Sequence, residues 1–154
     1  MILDFNYTKT IENILITMNL SDDDINKRLI KIHGSLEDGI IFGVEDKADI
    51  KNEHVFLRKA FNEKYKAINI IDILQYHEEI HIFGHSLGET DHMYFEDYFR
   101  KISMPNHSNE KSKIHLYHYG HDSYTQLFIQ LDKLTNKSLT NFKRNNEFKT
   151  IDVS

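Results

Sequence analysis

The stretch HEEIHIFGHSLG, residues 77–88, carries the strongest local signal for the fold. Its apolar run stops at Gly84, and a short run closed by a glycine is typical of a strand in a parallel sheet. We therefore predict a central strand over residues 79–83, a polar loop after it, and a helix that begins near Asp91. An unbroken helix over residues 67–81 would contradict this prediction.

The same stretch contains H-E-x-x-H at His77, Glu78 and His81. On a helix, this spacing places two imidazoles one turn apart for zinc and a glutamate beside them as general base. The third ligand of the extended motif would fall on Leu87, which cannot bind a metal. No set of histidines has three-ligand spacing on one element, and the chain has no cysteine. We expect no metal site.

A second motif, G-x-S-x-G, lies at residues 84–88. In serine hydrolases it forms a sharp strand-to-helix turn that exposes the nucleophile. Ser86 would be the nucleophile, Asp97 the acid, and His118 or His121 the base. Few residues follow Ser86 to carry these partners, so a hydrolase is the third of our hypotheses.

On both sides of this stretch, short runs recur that are apolar or that alternate apolar with polar residues. These runs separate segments whose apolar residues have helical spacing. The predicted strands are residues 1–5, 28–33, 39–43, 79–83 and 113–119. The predicted helices are residues 8–18, 55–65, 67–76, 91–102 and 123–134. This alternation predicts an α/β fold, a Rossmann-like, mostly parallel sheet flanked by helices.

Three of the predicted strands end in polar clusters. These clusters are Asn6-Tyr7-Thr8, His33-Gly34-Ser35 and Gly84-His85-Ser86. Because ligands of open parallel sheets bind at the carboxyl ends of the strands, we predict a ligand site there.

Composition narrows the class of protein. The chain has 154 residues, a net charge of −5, 40% hydrophobic residues and no cysteine. This length predicts a single domain over residues 1–154. The negative charge argues against nucleic acid as a partner, and no apolar stretch reaches the length of a membrane helix. We expect a cytoplasmic protein.

The order of these motifs resembles the AbiH family of bacterial phage abortive-infection proteins, in particular its C-terminal half. The resemblance rests on Asn6-Tyr7-Thr8, His33-Gly34, Phe42-Gly43, the GHSLG stretch and Thr90-Asp91. The same order is similar to the sirtuin-like NAD-binding fold. The family-like core would span residues 1–135, followed by a basic C-terminal tail over residues 136–154.

The resemblance implies NAD or a related nucleotide as the ligand. It implies that Asn6 orients the nicotinamide ribose or a water, that His33 is a general base, and that Gly84 and Ser86 hold the ribose or phosphates. The implied ligand-binding set is Asn6, Tyr7, Thr8, Gly34, Gly43, Gly84, His85, Ser86, Leu87 and Asp91. A base of near-neutral pKa and a polar group that places the attacking oxygen suit cleavage of an N-glycosidic bond.

Three departures from the sirtuin pattern limit this expectation. Tyr7 and Thr8 stand where sirtuins carry an aspartate, and the four-cysteine zinc module is absent. The first glycine-rich strand-loop, which holds the pyrophosphate at a helix N-terminus, also has no counterpart. The resulting open sheet edge predicts a homo-oligomer or a partner chain that covers it.

The sequence thus predicts an anti-phage defence protein, or a fragment of one, with a nucleotide-like ligand site. The alternative is a non-catalytic remnant or partner-binding module. Whether the chain is an enzyme is left open by its sequence.

Overall fold

The computed structural model describes residues 1–37, 39–44, 48–65, 68–105 and 111–154. The chain divides into two compact units, the N-terminal unit Met1–Ile68 and the C-terminal unit Asn69–Ser154, and each is described by itself. Both mix helices with short strands, which confirms the expected α/β class. Among the described residues, no helix has the length and apolar character needed to cross a bilayer.

The N-terminal unit is built around one pair of parallel strands. Its elements are β1 (Ile2–Asp4), α1 (Thr10–Thr17), α2 (Asp22–Arg28), β2 (Leu29–Lys31), β3 (Gly34–Ser35), β4 (Gly39–Ile40) and two 3₁₀ helices, Asn52–Leu57 and Lys59–Phe61. β1 pairs with β2 in parallel, with Asp4 opposite Lys31. Parallel neighbours need a crossover, which α1 and α2 provide. β3 and β4 form an antiparallel hairpin.

Local chemistry explains where α2 begins and ends. Ser21 caps the helix by accepting a hydrogen bond from the backbone N–H of Asp24. Acidic residues fill the first turn, whereas Lys27 and Arg28 lie in the last. This distribution of charge matches the helix dipole at both ends.

The helix predicted over residues 55–65 is not formed. Arg58 lies between the two 3₁₀ helices in an extended conformation and pairs with Val44 in a parallel bridge. The N–H of Lys59 donates to the carbonyl of Val44 instead of to a helical carbonyl. Pairing with a distant segment therefore overrides the local helical spacing.

The C-terminal unit contains a three-stranded parallel sheet. Its elements are α3 (Ile70–Gln75), β5 (Glu79–Ile82), a 3₁₀ helix (Glu89–Asp91), α4 (His92–Ile102), β6 (Lys113–His118), α5 (Gly120–Leu134), α6 (Leu139–Asn145) and β7 (Glu147–Asp152). The strand order is β5-β6-β7, and both pairings are parallel.

The predicted strand at residues 79–83 is confirmed as β5, and a 3₁₀ turn leads into α4 at the expected place. The prediction that this strand is central is wrong, because β5 lies at the edge of the three-stranded sheet and β6 lies in its middle. The side chains show why. Ile114 and Leu116 of β6 are each only 1% exposed, whereas Glu79 and His81 of β5 lie on an exposed face.

The segment over residues 136–154, which the sequence set apart as a basic tail, contains α6 and β7. Phe142 of α6 is fully buried, and its ring lies 5.8 Å from Phe99 of α4 and 5.2 Å from Phe148 of β7. This segment therefore supplies part of the aromatic core of its unit.

Candidate functional site

The predicted site residues fall into two groups, one in each unit. Asn6, Tyr7, Thr8, His33, Gly34 and Gly43 lie in the N-terminal unit, and Gly84, His85, Ser86, Leu87 and Asp91 lie in the C-terminal unit. Each group follows the carboxyl end of a parallel strand, except Gly43, which follows the β3–β4 hairpin.

In the N-terminal unit, Asn6 is held by a carboxylate that the sequence analysis did not single out. Asp4 is 3% exposed, and its Oδ1 accepts hydrogen bonds from the backbone N–H of Asn6 at 2.9 Å and from Nδ2 of Asn6 at 3.2 Å. The amide group of Asn6 is thus fixed through its nitrogen. Its oxygen accepts none of the hydrogen bonds formed among the described residues.

Lys31 balances the buried charge of Asp4. Its ammonium lies 2.9 Å from Oδ2 of Asp4 and 3.1 Å from Oε1 of Glu12, and it also donates to the carbonyls of Asn6 and Thr8. Because two carboxylates share one ammonium in a largely buried cluster, these contacts fix the loop that follows β1.

His33 and Gly34 follow β2. His33 is 6% exposed, and its ring meets Phe5 edge-on at 5.5 Å and Tyr7 at 6.1 Å. Gly34 has a φ of +73°, and a Cβ there would lie 2.2 Å from the carbonyl oxygen of Gly39. The tight hairpin therefore requires this glycine.

Gly43 is required for a similar reason. A Cβ at this position would lie 2.4 Å from the carbonyl oxygen of Leu57. The close approach of two backbone segments explains both Gly34 and Gly43 without a ligand.

The N-terminal unit also has a pocket of about 560 Å³, a volume typical of small-molecule sites. Gly34, Ser35, Lys31 and Glu12 are among its lining residues. Of the predicted site residues in this unit, Gly34 lines the pocket. The structure thus brings one of them to the cavity.

In the C-terminal unit, the loop after β5 contains a strained backbone conformation and is fixed by hydrogen bonds. Leu87 is fully buried yet has a φ of +52°, a left-handed conformation that costs most residues about 1–2 kcal/mol. Its N–H donates to Nδ1 of His85 at 2.9 Å, so the proton of the neutral His85 ring lies on Nε2. That nitrogen lies 3.4 Å from Oδ2 of Asp91.

Residues of two helices hold the same loop from outside. Nε2 of His92 lies 3.0 Å from the carbonyl of Leu87 and 3.1 Å from Oε1 of Gln130. Glu89 pairs with Lys133, and the hydrogen bond from this ammonium lowers the pKa of Glu89 from its ordinary value. Sequence reasoning missed His92 and Gln130, because neither lies in a motif and their contact depends on the packing of α4 and α5.

The loop leaves two of its predicted residues accessible. Gly84 has a φ of +65°, and beyond its chain neighbours no atom of the described residues lies within 4 Å of where its Cβ would be. Ser86 is exposed. A ligand would therefore meet open space at Gly84 and a hydroxyl at Ser86, beside the fixed His85–Asp91 pair.

The geometry contradicts the zinc reading of H-E-x-x-H. α3 ends at Gln75 and β5 starts at Glu79, so His77 and His81 do not share a helix. Their side chains therefore lack the one-turn spacing that the motif needs.

The G-x-S-x-G stretch does not form a nucleophile elbow. Ser86 lies well past the end of β5 and well before α4, in a loop instead of a sharp strand-to-helix turn. Of the two candidate bases, His118 lies edge-on to Tyr124 at 5.1 Å and His121 stacks on the same ring at 6.2 Å. A carboxylate other than Asp97 is nearest to His118, since Asp152 lies 3.9 Å from it.

Asp152 occupies the N-terminus of α5, at the carboxyl end of β6. Its Oδ1 accepts from the N–H of Gly120 at 3.1 Å and from the N–H of Ser154 at 3.0 Å. Both backbone hydrogen bonds lower the pKa of Asp152 from its ordinary value, and the one from Gly120 has the larger effect. A helix N-terminus of this kind binds anions, and here the anion belongs to the chain itself.

We expect the stability conferred by Asp152 to depend on pH. Because its pKa is lower in the folded chain than in the unfolded chain, its contribution is present at neutral pH and is lost as the pH falls through the folded pKa. Asp152→Asn should unfold at lower urea than the wild type at pH 7, and this gap should narrow as the pH falls below the ordinary pKa of about 4. Asp97→Asn, an exposed control on α4, should show no such gap, and a gap for Asp152→Asn that stays constant as the pH falls would contradict the prediction.

A family model described as "Bacteriophage abortive infection AbiH" matches residues 1–112. The match covers the N-terminal unit and continues through β5, its loop and α4. No curated protein and no solved structure matches the chain, so the sirtuin-like form of the fold stays a prediction.

Proposed function

Because the chain belongs to the AbiH family of bacteriophage abortive infection proteins, we propose that it protects a bacterial host against phage and binds a nucleotide-like ligand at the loop after β5. The family match carries the first part of the proposal. The open loop supports the second, since ligands of parallel sheets bind at the carboxyl ends of strands.

The chemistry of the loop suits a nucleotide. Gly84 lets a phosphate or ribose approach the backbone, because the described part of the chain leaves open the space that a Cβ would fill there. Ser86 offers a hydroxyl to a ribose, and Nε2–H of His85 faces the Asp91 carboxylate in a nearly buried pair. The strained Leu87 and its contacts with His85 and His92 keep this arrangement fixed before a ligand arrives.

A second candidate function, a partner-binding module without a nucleotide, is favoured by a specific observation. The N-terminus of α5, where a phosphate would bind in a parallel α/β sheet, is taken by the carboxylate of Asp152. A phosphate would have to compete with a group that is tethered in place.

The experiment combines protection and binding. The chain is expressed in a phage-sensitive bacterium, plaques are counted over a panel of phages, and purified protein is titrated with NAD by calorimetry. We expect fewer plaques than with an empty vector and a saturable heat of binding. Gly84→Asn should abolish both the protection against phage and the binding of NAD, because asparagine tolerates a positive φ but its side chain fills the open space. Ser123→Ala on α5 is the control and should behave as wild type.

Each negative result has its own meaning. Unchanged plaque counts across the panel would contradict the defence function. Protection that survives in Gly84→Asn, without NAD binding by the wild type, would contradict the nucleotide site and favour the partner-binding module. The catalytic roles given to Asn6 and His33 are tested by NAD turnover, which Asn6→Ala and His33→Ala should each remove.

A further inference from the structure

Two histidines and a glutamate meet on the exposed face of the C-terminal sheet. Glu79 and His81 lie two residues apart on β5, so they share a face, and His115 on β6 is in register with His81. Nε2 of His81 lies 3.2 Å from Oε1 of Glu79, and Nε2 of His115 lies 3.0 Å from the same oxygen. One candidate ligand atom from each residue lies within 4.8 Å of the others.

These separations are close to those of a tetrahedral metal site. Zinc binds nitrogen and carboxylate oxygen at about 2.0–2.2 Å, which places neighbouring ligand atoms about 3.4 Å apart. Both glutamate–histidine separations are near this value. The two imidazoles stack with centroids 4.5 Å apart and planes 12° apart, so one ring must turn about its Cβ–Cγ bond to aim at a shared ion. The side chain of His81 is 50% exposed and has room to turn.

The residues around Glu79, His81 and His115 also suit a metal site. Nδ1 of His81 lies 3.0 Å from the hydroxyl of Tyr117, and a turn of the ring small enough to keep this contact would leave His81 oriented through its second nitrogen, as most metal-binding histidines are. The side chain of His115 is only 14% exposed, so at least one ligand is partly shielded from water. Two lysines lie beside the cluster by register, Lys113 of β6 opposite Glu79 and Lys149 of β7 opposite His115, and both are exposed.

We propose that Glu79, His81 and His115 bind one divalent transition-metal ion, zinc in preference. Two imidazoles and one carboxylate form a ligand set that favours zinc over the hard cations Mg²⁺ and Ca²⁺, which take oxygen ligands. Three protein ligands leave the fourth position of the ion open to water or a partner's side chain. Ligand spacing within one element does not reveal this set, because its residues lie on two strands, and the expectation of no metal site rested on such spacing.

The test uses the full chain without a histidine tag. Calorimetry with ZnCl₂ should show one ion per chain, and CoCl₂ should give the intense visible absorption of tetrahedral cobalt, which zinc abolishes. Glu79→Gln, His81→Ala and His115→Ala should each weaken zinc binding by more than about 100-fold. Tyr117→Phe should weaken it by about 10- to 100-fold, the usual effect of removing a residue that orients a ligand.

Two neighbouring residues provide matched controls. Glu78→Gln and His77→Ala remove the same side chains just outside the cluster and should leave binding unchanged. Far-UV circular dichroism in EDTA shows whether each variant folds, and the cobalt spectrum of the wild type reports coordination independently of any variant. Absence of one-to-one zinc binding, or equal losses in His77→Ala and His81→Ala, would overturn the proposal and leave Glu79 as a polar contact of the two imidazoles.

Discussion

Lys31→Ala is expected to lower the free energy of unfolding by about 3 kcal/mol. The substitution leaves Asp4, whose side chain is 2% exposed, and Glu12 without their shared ammonium. Removing one partner of a buried ion pair costs about 3–5 kcal/mol, and the lower end applies because Lys31 keeps some contact with water. Urea unfolding at pH 7 measures the loss, and hydrogen exchange assigns it to the N-terminal unit.

Lys27→Ala is the matched control for this experiment. Lys27 is exposed at the end of α2, and its replacement should change the free energy of unfolding by about 0.5 kcal/mol or less. The Asp4→Asn substitution should cost less in the Lys31→Ala background than alone, since the two side chains contact each other. Strictly additive losses would contradict the ion-pair account.

Phe142→Ala is expected to cost about 3–5 kcal/mol, the usual range for deleting a buried aromatic ring. Phe142 is fully buried and contacts Phe99 and Phe148, so the variant leaves a cavity between α4, α6 and β7. Thermal and urea unfolding measure the change. A small effect would mean that the segment over residues 136–154 is a solvated tail after all.

The control for this second variant is Phe83→Ala. Phe83 is 71% exposed and meets Tyr117 edge-on at 5.6 Å. Its removal should cost less than about 1.5 kcal/mol, the upper value for one aromatic pair. Equal losses in the two variants would contradict the assignment of Phe142 to the core.

Local signals predicted the parts of the fold that depend on neighbours in sequence. The apolar run before Gly84 predicted β5, and the polar residues after it predicted the loop that leads to α4. Parallel pairing followed from the alternation of strands and helices. The edge position of β5 was missed, although its alternation of Glu79 and His81 with Ile80 and Ile82 is typical of a half-exposed strand.

The site was less accessible to sequence reasoning, because its contacts join distant residues. Asp152 reaches the N-terminus of α5 through a hydrogen bond across 32 residues. His81 and His115 become neighbours only through the register of β5 and β6. The close approach of backbone segments accounts for Gly34 and Gly43 without a ligand, and the ligand-binding roles of both stay predictions. Strand register and close backbone contact leave no mark in a single sequence.

The backbone angle and the burial of Leu87 favour different types of residue at this position in the loop after β5. Its left-handed backbone favours glycine or asparagine, whereas its fully buried position favours a large apolar side chain. Substitution of Leu87 by glycine would relieve the backbone strain but leave a cavity where the side chain packs. Substitution by valine or isoleucine would fill that space, but a β-branched side chain disfavours the left-handed backbone angle. Few substitutions would keep both the backbone angle and the buried packing at this position, so Leu87 holds the neighbouring Ser86 and Gly88 to one backbone path.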